Sequence, residues 1–293
     1  MVKLVLLVDE SGSKANSNRQ ENTIKEFGVM AGFIMYEDGY DFLKDFSKKI
    51  VKPLQEKYEK VHLTDFEFED KKTTIDGFFK FFSEFKCPWI YTAIYTQGFY
   101  DHHNANANVD VDKNPPVFSM HSALFLENII KLIAFVKDHH KNDCMNLEIK
   151  IVTDTIDVGT KKKIKQEFEN IKPFFLNGKK ETIKSFYNRN KEELECFVFE
   201  GMIDEENFSK IKMDSLSLEI IVDDDTAFMA DILNYTLFKH VQGYIKGNKE
   251  NNNIYLNSKS VVSKFKLFEN CYGYSDGVNL SFSDMAYFYR ERK

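Results

Sequence analysis

Cysteine is scarce in this 293-residue chain, and Cys87, Cys144, Cys196 and Cys271 lie far apart. None forms a Cys-x-x-Cys pair, so neither a zinc site nor a disulfide framework is expected; reduced thiols in a cytoplasmic protein are the simple reading. Arginine is confined to Arg19, Arg189, Arg290 and Arg292. No stretch approaches the ~20 apolar residues that span a bilayer, which argues against a membrane protein. The apolar start runs straight into Asp9 and Glu10 without a small-residue cleavage site, so it does not read as a signal peptide. A Gly-rich phosphate loop, a dinucleotide fingerprint and a Gly-x-Ser-x-Gly elbow are all missing. An excess of cations is missing too. The net charge of −6 argues against a non-specific polyanion binder, leaving only local patches for phosphate.

What is present is apolar and aromatic. Hydrophobic residues make up 43% of the chain, with 28 Phe and 14 Tyr, enough for a sizeable core. Trp89 and the Phe stripes read as part of that core. Val2 to Val8 is nearly continuous apolar sequence, the pattern of a strand buried on both faces. Phe27 to Tyr36 reads as a second strand whose Gly28 and Gly32 allow close backbone packing. Trp89–Thr96, Leu147–Thr153 and Leu216–Val222 read as further strands. Helical spacing marks Asp41–Tyr58, Thr73–Phe85, Phe118–His140 and Lys161–Ile171. A last core helix follows Asp223, with Thr226 as its expected cap. Between Pro173 and Asp214 the pattern is ambiguous, with one helix and a short strand at Cys196–Phe199 expected. Polar loops are expected at Lys14–Thr23 and Asp101–Pro116. The order of elements predicts an α/β fold, a mixed sheet flanked by helices over residues 1–247. A linker and a helical C-terminal appendage are expected over 248–293.

Three carboxylates stand out. Asp9 ends the first strand, Asp154 ends a middle strand, and Asp231 lies in the first turns of the last core helix. In a mixed sheet the first two can sit side by side, with the helix bringing the third. Three ionised carboxylates cannot converge without a counter-charge or a proton. Mg2+ suits oxygen-only ligands, and a pair of such ions can cleave a phosphodiester. Acidic residues also commonly end strands and cap helices, so position alone does not distinguish the two readings. Glu10 follows Asp9 directly and would face the opposite side of a strand unless the chain turned at Ser11–Gly12. His62 is a candidate general acid or base, or a structural histidine near a loop. The pairs His102–His103 and His139–His140 point apart and make no zinc site alone. Lysines form two clusters: Lys161, Lys162, Lys163 and Lys165, then Lys179, Lys180 and Lys184. Each is either a solvated face or a track for nucleic acid.

The runs VLLVDESGS, IVTDTID and FMADILNYTLFKH resemble an uncharacterised family, the domain of unknown function numbered thirty-eight hundred. Asp9-Glu10-Ser11-Gly12, Asp154 and Ala230-Asp231 match its three acidic motifs, and His62 matches a histidine after the second-strand region. The resemblance spans about residues 2 to 245. Phe228 departs from it, standing where the family usually has Gln. The resemblance implies a ribonuclease H-like fold of a kind found in bacteria, phages and mobile elements. Such enzymes usually add a fourth carboxylate, for which Glu127, Glu10, Asp65 and Glu67 are candidates. The expectation is a metal-dependent nuclease or phosphodiesterase, a hydrolase with Asp9, Asp154 and Asp231 on Mg2+ or Mn2+ and Glu10 or His62 assisting. The alternative is a non-catalytic ribonuclease H-like interaction protein of a phage-defence or mobile-element system, with a protein partner.

Overall fold

The computed structural model describes residues 1–12, 26–96, 99, 120–140, 145–188, 193–203, 212–247 and 262–272. The expected loops at Lys14–Thr23 and Asp101–Pro116, the His102–His103 pair and the linker at Asn248–Asn253 lie outside them. So does most of the expected appendage.

Five strands form one mixed sheet: β1 (Val2–Gly12), β2 (Phe27–Tyr36), β3 (Trp89–Tyr95), β4 (Asn146–Thr153) and β7 (Ser215–Val222). Their order is β3-β2-β1-β4-β7. β2 runs antiparallel to both β1 and β3, while β4 and β7 run parallel to β1. The nearly continuous apolar run of β1 follows from its central place. Val5 and Leu7 face one core, and Leu4, Leu6 and Val8 face the other. The first core lies under α1 (Glu37–Gln55), α2 (Phe68–Phe85) and α5 (Asp224–Gly247). The second lies under α3 (Met120–His139) and α4 (Val158–Asn177). The expected α/β sheet flanked by helices is therefore present. Among the described residues no helix is long and apolar enough to cross a membrane.

Three expectations are corrected. After Pro173 the expected short strand at Cys196–Phe199 is present as part of a longer one, and among the described residues no new helix begins there. Instead α4 continues through Pro173 to Asn177 and ends at Gly178, whose φ is +72°. β5 (Lys179–Asn188) and β6 (Glu193–Met202) then form a separate antiparallel hairpin. Charged residues interleave with apolar ones in both strands, and that alternation is weak evidence until a partner strand supplies the pairing. The last core helix is capped by Asp223 rather than Thr226: the Asp223 carboxylate accepts from the Thr226 N–H at 3.2 Å. Finally, Glu10, expected to assist the aspartates, fails the condition for joining them: β1 stays paired with β2 as far as Gly12↔Gly28, so Glu10 keeps to the opposite face.

Segment 262–272 joins the first core through Val262, Phe265, Leu267 and Cys271. The Trp89 indole N–H donates to Leu267 O at 2.7 Å, and the Tyr272 N–H donates to Trp89 O. This segment bridges the outer edge of β3 at Trp89, its first residue, giving that backbone a partner.

Two glycines are required by close approach. At Gly32 a Cβ would lie 2.6 Å from Leu7 O. At Gly12 it would lie 2.5 Å from Phe27 O and 2.6 Å from the Phe238 ring, on a backbone with φ +94°. Gly12→Ala therefore combines strain with a clash. A left-handed non-glycine residue alone costs about 1–3 kcal/mol. At this chain size that corresponds to a fall in melting temperature of roughly 5–10 °C once the clash is added. Calorimetry on the variant checks it; an unchanged melting temperature would mean that the chain relaxes here.

Candidate functional site

The end of β1, the end of β4 and the second turn of α5 meet at one edge of the sheet. Asp9, Asp154, Asp231 and His62 line a single cleft of about 190 Å3, together with Asp224 and Asp225 at the start of α5. Each carboxylate arrives by a different route. Asp9 is the odd-numbered residue that follows Val5 and Leu7 on the α1/α2/α5 face of β1. Asp154 follows the last residue of β4. Asp231 sits on the buried face of α5 beside Ala230 and Phe228.

Asp9 and Asp231 are 8% and 7% exposed, so little water solvates their charge. Burial, then Glu10, Asp231 and Asp154, push the Asp9 carboxyl well above its ordinary 3.8. Burial also raises Asp231, opposed by the Leu63 N–H and His62 and reinforced by Asp154 and Asp65. The Leu63 N–H donates to Asp231 Oδ2 at 2.9 Å. This bond fixes the carboxylate against the single turn Leu63–Asp65. His62 precedes that turn. Its Nδ1 accepts from the Thr64 N–H at 3.3 Å and lies 3.7 Å from Asp231 Oδ2. The histidine is thus both a cap for the turn and a neighbour of the acidic floor.

The start of α5 is held by neutral and cationic donors. Tyr40 donates to Asp223, Gln55 to Asp225 and Thr155 to Asp224; Lys44 pairs with Asp223 at 3.2 Å. These bonds tie α1 and the β4 end to the helix that carries Asp231.

Glu10 is not part of this cleft. It points to the other face, as strand alternation requires, and lines a second cleft of about 400 Å3 with His121, Asp154, Thr155, Asp157 and Lys163. Its Oε1 lies 3.8 Å from His121 Nδ1. Asp154 borders both clefts. Of the first lysine cluster, Lys163 faces the second cleft, while Lys162 and Lys165 are exposed on α4 and Lys161 is half-buried. In the second cluster, Lys179 pairs with Glu200 at 3.2 Å and Lys180 donates to Asn170; the Lys184 side chain lies outside the described residues. Glu127 sits on α3 and lines neither cleft, and burial raises its pKa. Glu67 pairs with Lys57. Asp65 is near enough to Asp231 to raise it. His139 and His140 separate: His139 contacts Phe135 O, and His140 contacts the Tyr36 hydroxyl.

The donor set is all oxygen apart from His62, which is the chemistry of a hard divalent cation. Among the described residues, however, no three His, Cys, Asp or Glu side chains are gathered closely enough to hold a metal ion as they stand. The three aspartates line one cleft without closing on a common point.

The raised Asp9 and Asp231 carboxyls give a pH prediction for the metal-free protein. A carboxyl with a folded pKa above its unfolded one favours folding at low pH, and this contribution fades as pH rises from about 4 through the folded value. The gap in melting temperature between Asp9→Asn and the unsubstituted chain should therefore widen in the variant's favour as pH rises from 4 towards 8. Melting curves in EDTA across that range test it; a constant gap would mean that Asp9 titrates alike in both states.

Sequence reading missed the Leu63 N–H, the Asp224 and Asp225 rim and the division into two clefts. Only the acidic run at 223–225 was visible in the chain. Comparison with protein-family models, with curated proteins and with solved structures finds no match for this chain.

Proposed function

We propose that this chain is a ribonuclease H-like, metal-dependent nuclease or phosphodiesterase that holds Mg2+ or Mn2+ on Asp9, Asp154 and Asp231. The observation that carries the reading is electrostatic. Three carboxylates from three separate elements share one cleft, and burial plus its acidic neighbours disfavour the charge on Asp9. A fold selected for stability alone would bury an apolar side chain there. The sheet order, three antiparallel strands and then two parallel ones, with Asp9 late in β1 and Asp154 just past β4, supports the ribonuclease H-like reading. So does the resemblance at the three acidic motifs.

When bound, the divalent cation supplies an activated water and charge stabilisation for the leaving oxygen of a phosphodiester. The protein's own residues do the rest. The Leu63 N–H orients Asp231, and the bonds around Asp223–Asp225 hold the start of α5 to α1 and to the end of β4. His62, half-exposed at the cleft wall, is the group positioned to exchange a proton with a bound water or leaving group.

The separation of the carboxylates favours a second reading, a non-catalytic interaction protein whose acids are structural. Melting in EDTA, Mg2+ and Mn2+ separates the two. A ligand that binds only the folded state raises the melting temperature. A rise with Mn2+ supports the metal reading, and nucleic-acid cleavage assays then follow. No response to either ion at millimolar concentration favours the interaction protein.

A further inference from the structure

The charge around the first cleft is lopsided. Its floor and the start of α5 are acidic, with Asp224, Asp225 and Glu59 adding to the three aspartates against the one lysine, Lys60, that lines it. A polyanion cannot approach over that side without facing repulsion. Further along α5 the sign changes. Tyr235 and Lys239 follow Asp231 at i+4 and i+8, on the same helix face, about 6 and 12 Å beyond it along the axis. Lys71 of α2 comes to the same ring. Its Nζ lies 5.4 Å from the Tyr235 centroid, and Lys239 Nζ lies 5.6 Å from it. Lys71 also donates to Thr64 O at 3.1 Å, in the turn that follows His62. Lys239 is exposed, while Lys71 and Tyr235 are half-buried.

We propose that Lys71 and Lys239, held in place by the Tyr235 ring, form a phosphate clamp that receives the backbone of a nucleic-acid strand leaving the acidic cleft. Its ligand class rests on the nuclease reading; its geometry does not. Two ammonium groups from different helices, 5.4 and 5.6 Å from the centroid of one aromatic ring, keep their charges near that ring beside the cleft. That place lies on the side away from Asp223–Asp225. The strand therefore runs along α5 and not along the α4 lysines, of which Lys163 lines the second cleft and the others line neither of the two.

The test is binding of a labelled single-stranded oligonucleotide to the full chain in EDTA, so that the strand stays intact, over a range of salt concentrations. For the unsubstituted chain, affinity should fall steeply with salt. Lys71→Gln/Lys239→Gln should weaken binding about tenfold and flatten the log–log salt slope by about 1.4, the value for two lost phosphate contacts on a single strand. Tyr235→Leu, which removes the ring and no charge, should weaken binding without that change in slope. Lys239→Gln alone, on an exposed side chain, covers the case in which the double variant fails to fold. Equal binding and slope in the lysine variants would overturn the proposal. So would no binding by the unsubstituted chain, or displacement by polyglutamate as effective as by nucleic acid. The Mn2+ melting response, measured in parallel, keeps the two ideas apart. Its absence alongside lysine-dependent binding removes the metal site and leaves the clamp.

Discussion

Asp9→Asn should abolish the Mn2+-induced rise in melting temperature and reduce nucleic-acid cleavage by at least about a thousandfold. The magnitude follows from what the carboxylate does on the proposed reading. Metal-based charge stabilisation is worth several kcal/mol, and each 1.36 kcal/mol is a factor of ten in rate. Asn keeps the shape and one acceptor oxygen but removes the charge that attracts a cation. The fold should survive, because the substitution relieves a buried group crowded by Glu10, Asp231 and Asp154. In EDTA at neutral pH the variant should therefore melt no lower than the unsubstituted chain. This combination separates function from structure. Lost cleavage with a collapsed melting temperature would make Asp9 a structural residue. Retained cleavage would remove it from any catalytic role.

The largest stability effect is expected one turn further along α5. Asn234 is fully buried, and its amide clamps the backbone of β2: Ala31 N–H donates to Oδ1 at 2.7 Å, and Nδ2 donates to Ala31 O at 2.9 Å. Ala31 is the register partner of Asp9. Nδ2 also donates to Ala230 O. Asn234→Ala removes all three bonds from buried groups. The Ala230 carbonyl lies within the helix and keeps its i+4 backbone partner, so the loss falls on the two Ala31 groups; at about 1–3 kcal/mol for each buried polar group left without this partner, the total is roughly 2–6 kcal/mol. At roughly 2–4 °C per kcal/mol, the melting temperature should drop by about 10 °C. The Mn2+ response should weaken as well, since the same clamp sets α5 against the strand opposite Asp9. A loss below about 1 kcal/mol would show that water or a shifted backbone replaces the amide.

A comparable polar group lies on the opposite face of the sheet. Asn128 donates to Met30 O and accepts from the Thr92 hydroxyl, and Lys131 donates to Tyr91 O and to Thr92. Asn128, Lys131 and Thr92 are all fully buried. Satisfied networks of this kind favour one arrangement of helix on sheet over its neighbours, because any shift leaves several groups unpaired at once.

The amino-acid sequence by itself determined the elements and their faces. Burial on both sides of a central strand leaves an unbroken apolar run, and Val2–Val8 has one. Packing on one side leaves helical spacing, and Phe78, Phe79 and Phe82 show it in α2. Chain position likewise put Asp154 at a strand end and Asp231 near a helix start, because strand ends and first turns are local features; Asp9, read as a strand end, lies three residues inside β1, whose pairing with β2 carries it on to Gly12. Only the tertiary structure decided the rest. Whether Glu10 joined Asp9 depended on whether β1 stayed paired to Gly12, a matter of β2 and the Phe238 ring. The β5–β6 hairpin needed its own partner strand to turn a weak alternation into pairing. Lys71 and Lys239 are 168 positions apart and meet at Tyr235 because α2 and α5 pack on the same core. The depth of the acidic cleft, and hence the strain on Asp9, arises when three distant segments exclude water from the same place. Local sequence carries the period of burial; the field at a site is the sum over everything the fold brings near it.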